Sequence, residues 1–131
     1  MEYQEYVRSA ERASQLVESG DYGGAIEVLR KLVSSDISRI DKAMMCLNLA
    51  VVYDKMGRFE EALFWYGEGV DYERAHDRHY VAERKAAYLA EKGRYRESFD
   101  EYKKLLRRSG LTEGDKERIE RQVETLRRCV R

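Results

Sequence analysis

No proline occurs anywhere in this chain of 131 residues, so nothing breaks a helix from within by removing an amide donor. Histidine is almost as scarce, with two residues, and no glycine-rich phosphate loop is present. Acid–base and nucleophilic catalysis therefore lack their usual parts, and neither an enzyme nor a cofactor is expected. Cys46 and Cys129 lie far apart with no metal-ligand spacing around either, which makes a reduced, cytoplasmic setting the simplest inference. There is no excess of either charge: 25 Lys and Arg balance 25 Asp and Glu. A dedicated nucleic-acid binder would need a basic surplus. Long apolar runs are missing too. The longest, "AMMCLNLAVVY" from Ala43, covers 11 residues and contains Asn48, the sole asparagine, so it reads as a buried helix and not as a membrane span. The opening "MEYQEYVRSAERAS" is polar and has no apolar leader core.

What the chain does contain is a repeat. Gly20, Gly57 and Gly93 are spaced by 37 and 36 residues. Two positions after each comes an aromatic (Tyr22, Phe59, Tyr95), three further a small residue (Ala25, Ala62, Ser98), and four beyond that a large one (Leu29, Tyr66, Tyr102). Ahead of the central glycine, Cys46, Leu49, Ala50 and Tyr53 fall at i, i+3, i+4 and i+7, one face of an amphipathic helix. Each glycine thus ends one helix in a left-handed conformation, and the aromatic opens the next. The small residues let paired helices approach, with the aromatic filling the gap beside them. A hairpin of this kind cannot bury its apolar face alone, so neighbouring hairpins must stack. Helices are predicted near 3–18, 22–34, 39–55, 59–72, 78–92, 95–108 and 113–130. Outside the repeat, Thr112 and Asp115 form a capping-box pattern ahead of a stripe of Ile119, Val123, Leu126 and Val130, the design of a terminal capping helix.

The pattern resembles the tetratricopeptide repeat, W-x2-L-G-x2-Y followed by A-x3-F and Pro. The central unit matches best, as Cys46-x2-Leu49-Ala50-x2-Tyr53 and Ala62-x3-Tyr66. The third reads Ala82-x2-Lys85-Ala86-x2-Leu89 and Ser98-x3-Tyr102; the first recovers the signature only in Ala25-x3-Leu29. The closing Pro is absent, and the period exceeds 34 residues by two or three, with the extra residues expected in "SSDISRID" and "DYERAHDRH". The resemblance implies an all-α, right-handed superhelical array of antiparallel hairpins. It makes residues 1–131 a single domain, with repeats at about 4–38, 39–76 and 77–110 and the capping helix at about 113–130.

In that family the first helix of each hairpin lines a concave groove that holds partner peptides or helices. The equivalent positions here are Val7, Glu11, Ser14 and Glu18; Met44, Asn48, Val51 and Lys55; and Tyr80, Arg84, Ala87 and Glu91. Asn48 can both donate to and accept from a peptide backbone, and Arg84 offers a bidentate site for a carboxylate. The carboxylate clamp of one subfamily is matched only at Asn48 and Arg84. Ala10, Ser14 and Tyr80 stand where Lys, Asn and Lys are needed, so no clamp is implied. The expected function is a non-enzymatic scaffold that binds a protein or peptide in the groove, with no nucleic acid and no membrane.

Three adjacent aromatics, Phe64, Trp65 and Tyr66, cannot all face one core, because neighbours on a helix diverge by about 100°. Phe64, with Trp65, is therefore a candidate outer contact. The alternative function is a self-assembling module associating weakly as a homo-oligomer through these rings or through unequal ends, or a regulatory part of a larger complex. Residues 1–36 carry 7 acidic and 4 basic groups, and residues 103–131 carry 5 and 10. His76 and His79 lie near Glu73, Asp77 and Glu83, but such pairs are common in charged helices, and no metal site is expected.

Overall fold

The computed structural model describes residues 1–130. Among the described residues there are seven helices and no strand. They are α1 (Tyr3–Glu18), α2 (Tyr22–Val33), α3 (Arg39–Lys55), α4 (Phe59–Arg74), α5 (Tyr80–Glu91), α6 (Tyr95–Leu106) and α7 (Glu113–Arg127). They group into two compact units, Met1–His76 and Asp77–Arg131.

The repeated glycines explain the helix ends. Gly20, Gly57 and Gly93 have φ of 84°, 73° and 78°. The residue after each donates its amide back across the turn: Asp21 to Leu16 at 2.8 Å, Arg58 to Tyr53 at 2.9 Å and Arg94 to Leu89 at 2.9 Å. Each glycine amide meanwhile reaches the carbonyl three residues back. One turn is thus built three times, satisfying carbonyls that a helix end would otherwise leave bare.

In the first unit, α1 and α3 both pack on α2, and α4 packs on α3. Asp21 caps α2 by accepting from the Gly24 amide at 2.9 Å. Ser38 caps α3 by accepting from the Asp41 amide at 3.1 Å. Cys46, Leu49 and Ala50 of α3 are fully buried with Ala25 and Ala62, the small residues of the first two repeats. Burying each large apolar side chain contributes about 1.5–3 kcal/mol, which outweighs the weak intrinsic preference of helices this short.

In the second unit α5 packs on α6, and α6 on α7. Ala86, Leu89, Ser98, Tyr102 and Leu105 make its core, closed by Ile119, Val123 and Leu126 from α7. Thr112 and Asp115 form the full reciprocal capping box at the start of α7. Tyr95 departs from the repeat expectation. Tyr22 and Phe59 are half-buried, but Tyr95 is 43% exposed and so does not fill a gap.

Helix ends shift locally. α4 runs on to Arg74, since "DYER" holds no breaker and Glu73 is buried. α5 begins at Tyr80 instead of 78, after Asp77 has turned the chain at φ 56°. α2, α6 and α7 end at Val33, Leu106 and Arg127, earlier than their apolar periodicity suggests.

Candidate functional site

A cleft of about 260 Å³ opens in the first unit between α1 and α3. Its existence follows from the packing: both helices rest on α2, and Leu29 of α2 forms the floor of the space between them. Ala10, Ala13 and Val17 supply the α1 wall, and Val51 and Val52 the α3 wall. The small side chains of α1 keep the cleft open. Ser14 and Glu18 line it on the α1 side and Asn48 on the α3 side, all three solvent-exposed. The result is an apolar slot with an amide, a hydroxyl and one carboxylate at its rim, the composition of sites that take one apolar side chain and orient it through few polar contacts. Along the same pair of helices, burial and the adjacent Asp41 carboxylate of α3 raise the pKa of Tyr6 on α1.

Of the groove residues expected from sequence, Ser14, Glu18, Asn48 and Val51 come together in this cleft. Glu11 lies instead on a shallower depression with Tyr3, Gln4, Val7 and Arg8. Met44 is half-buried on α3 without lining either hollow, and Lys55 is exposed at the end of α3. In the second unit, Tyr80 (53% exposed), Arg84 and Ala87 follow one another along α5, Arg84 exposed and Ala87 half-buried. Phe64 is 57% exposed, its ring set edge-on to Trp65 with centroids 5.2 Å apart, and Arg30 of α2 sits over Trp65.

Leu29 and Val17 were not foreseen as cleft residues. Leu29 belongs to the core stripe by periodicity and is almost fully buried, yet it borders the cleft between α1 and α3. Also unforeseen is an ionic cluster on the second unit. Arg118 of α7 donates from Nε and Nη2 to the two oxygens of Glu83 on α5, each at 3.0 Å, and from Nη2 to Asp115 at 2.9 Å. The His79 ring lies between the same carboxylates, Nδ1 3.4 Å from Glu83 and Nε2 3.2 Å from Asp115.

The Thr112 amide and Arg118 hold the Asp115 carboxyl well below the usual carboxylate range. Glu83 and Asp115 in turn raise the pKa of Arg118. The carboxylates meet opposite nitrogens of one imidazole, so the three groups do not converge on a common point, and no metal-holding group of three is found among the described residues. The cluster fastens α7 to α5.

Cys46 is enclosed in the core, and burial pushes its thiol up to about 12. Among the described residues no helix is long and apolar enough to cross a membrane.

An all-α protein of packed helices with an apolar slot between α1 and α3 is the class these features define. The solved structure of the Yersinia enterocolitica type III secretion translocator chaperone SycD is similar in fold, with a TM-score of 0.66 and 17% identity, over 98% of this chain and 88% of that one. Residues 11–108 match the family model described as "Domain of unknown function (DUF6340)", and the chain belongs to that family. No curated protein matches it.

Proposed function

We propose that this chain is a non-enzymatic protein-interaction scaffold, and that the cleft between α1 and α3 receives an extended peptide segment of its partner. The observation that carries the reading is the cleft itself: an apolar slot floored by Leu29, with Asn48 at its rim. A large apolar side chain of the partner would enter the slot, and the Asn48 amide would pair with the partner's backbone, leaving the neighbouring side chains free. The fold likeness to a chaperone of a secretion translocator supports a protein partner as the class of ligand. Tyr80, Arg84 and Ala87 on α5 are proposed as a separate contact surface of the second unit.

Binding of an arrayed library of acetylated hexapeptides, followed by fluorescence anisotropy on the hits, tests the reading. Val51→Asp is expected to abolish binding and Asn48→Ala to weaken it about tenfold, the worth of a well-placed hydrogen bond. Phe64→Ser should leave it unchanged. Loss of binding in Phe64→Ser with retention in Val51→Asp would put the working face elsewhere.

The exposed Phe64 ring, packed edge-on to Trp65, favours self-association as a second reading. Sedimentation velocity at tens of micromolar distinguishes it: a dimer that Phe64→Ser dissociates supports assembly through this face.

A further inference from the structure

Building on the peptide-binding reading, we infer that the cleft selects a partner segment in which a large aliphatic side chain is followed, within two residues, by Lys or Arg. Glu18 is the one charged residue that lines the cleft, and it is exposed. No cation pairs with it within 4 Å among the described residues, although ion pairs are plentiful elsewhere on the surface. Its position sharpens the preference. Glu18 is the final residue of α1, and the last turn of that helix contains no basic residue. A carboxylate therefore sits at the negative end of a helix dipole, where a cation is the favoured neighbour.

The flanking sequence has the same sign, with 7 acidic against 4 basic residues over 1–36. Side chains two apart on an extended peptide share a face and stand roughly 6–7 Å from each other. Glu18 lines the same cleft as Leu29 and Val51, and we assign to it the second neighbour of an aliphatic anchor seated there. An acidic neighbour would meet Glu18 and the negative end of the α1 dipole, both repelling it, so charge sets specificity here more than raw affinity.

The test uses labelled acetylated hexapeptides with Leu fixed at the third position and Lys, Gln or Glu at the fifth, titrated by anisotropy at low salt. Binding in the order Lys, Gln, Glu is expected, with about tenfold between the extremes. In Glu18→Gln that ratio should shrink to about twofold, while replacing Leu by Ser still abolishes binding. Glu18 is exposed, so the variant should keep its helical circular dichroism and its melting curve. Leu-dependent binding that ignores the fifth residue overturns the charge selection and leaves the peptide site standing. No binding, or binding indifferent to both Leu and Asn48→Ala, overturns the site and the selection together. A concentration-dependent dimer that Val51→Asp dissociates would show a second copy as the occupant and overturn the proposal equally.

Discussion

Ser98 of α6 donates a 2.6 Å hydrogen bond from Oγ to the Ala86 carbonyl of α5, and both residues are completely buried. It sits where the first two repeats have Ala25 and Ala62, also completely buried. Space at this crossing is the common requirement, and the hydroxyl is a local addition. Ser98→Ala is therefore expected to cost only about 0.5–1.5 kcal/mol, the net value of one hydrogen bond. Ser98→Leu should cost clearly more, because overpacking forces two helices apart. Urea unfolding of both variants checks the order, and a more damaging Ala variant would contradict it.

The helix-ending glycines separate backbone strain from crowding. A Cβ at Gly57 meets nothing within 4 Å, so Gly57→Ala should lose about 1–2 kcal/mol from its left-handed φ alone. A Cβ at Gly110, with φ 85°, would stand 2.5 Å from Asp77 Oδ2. Gly110→Ala should therefore be the more destabilising, and the difference should vanish in an Asp77→Gly background. Equal losses in both backgrounds would mean that the Asp77 contact is immaterial.

That three-fold turn is also the part of the fold most legible in sequence, because a left-handed helix end admits few residues other than glycine. Seven helices and the core faces of α3 and α7 followed from apolar spacing for the same local reason, while that of α5 followed from the repeat signature. Ser14, Asn48 and Val51 could be picked out because they lie on a stripe offset from the core stripe. Leu29 could not, since one periodic position cannot announce that it faces a core on one side and a cleft on the other. The pairing of Glu83 and His79 with Asp115 and Arg118 was equally hidden. It depends on α7 reaching α5 across more than thirty residues of chain, which no local pattern encodes.

Acid stability should report on that pairing. Asp115 has its folded pKa lowered by the Thr112 amide and Arg118, below an unfolded value of about 3.9. The stabilisation is thus complete above that unfolded value and is lost as pH falls through the folded one. Urea midpoints measured between pH 6 and pH 2.5 should fall more steeply for the native chain than for Asp115→Asn. Parallel curves would contradict the assignment.

The two thiols should behave as opposites. Cys46 is buried with its thiol pushed up to about 12, whereas Cys129 is exposed. A thiol reagent at pH 8 is expected to titrate one group per folded chain and two in denaturant. Rapid modification of Cys46 in the folded protein would show that the core around α3 opens readily.

Arg84→Ala is expected to leave stability unchanged, since the side chain is exposed on α5. A ligand that uses that surface should bind about tenfold more weakly, from the loss of a charge-assisted hydrogen bond of roughly 1.5–3 kcal/mol. Unchanged affinity for every peptide that binds would remove α5 from the binding surface.

The most direct measurement is an amide chemical-shift titration of the isotope-labelled chain with the tightest Leu- and Lys-bearing hexapeptide. Saturable shifts at Ala10, Ser14, Val17, Asn48 and Val51, the two walls of one cleft, are the predicted result. Shifts centred on Phe64 and Trp65, with α1 and the exposed side of α3 silent, would contradict the cleft as the site of binding.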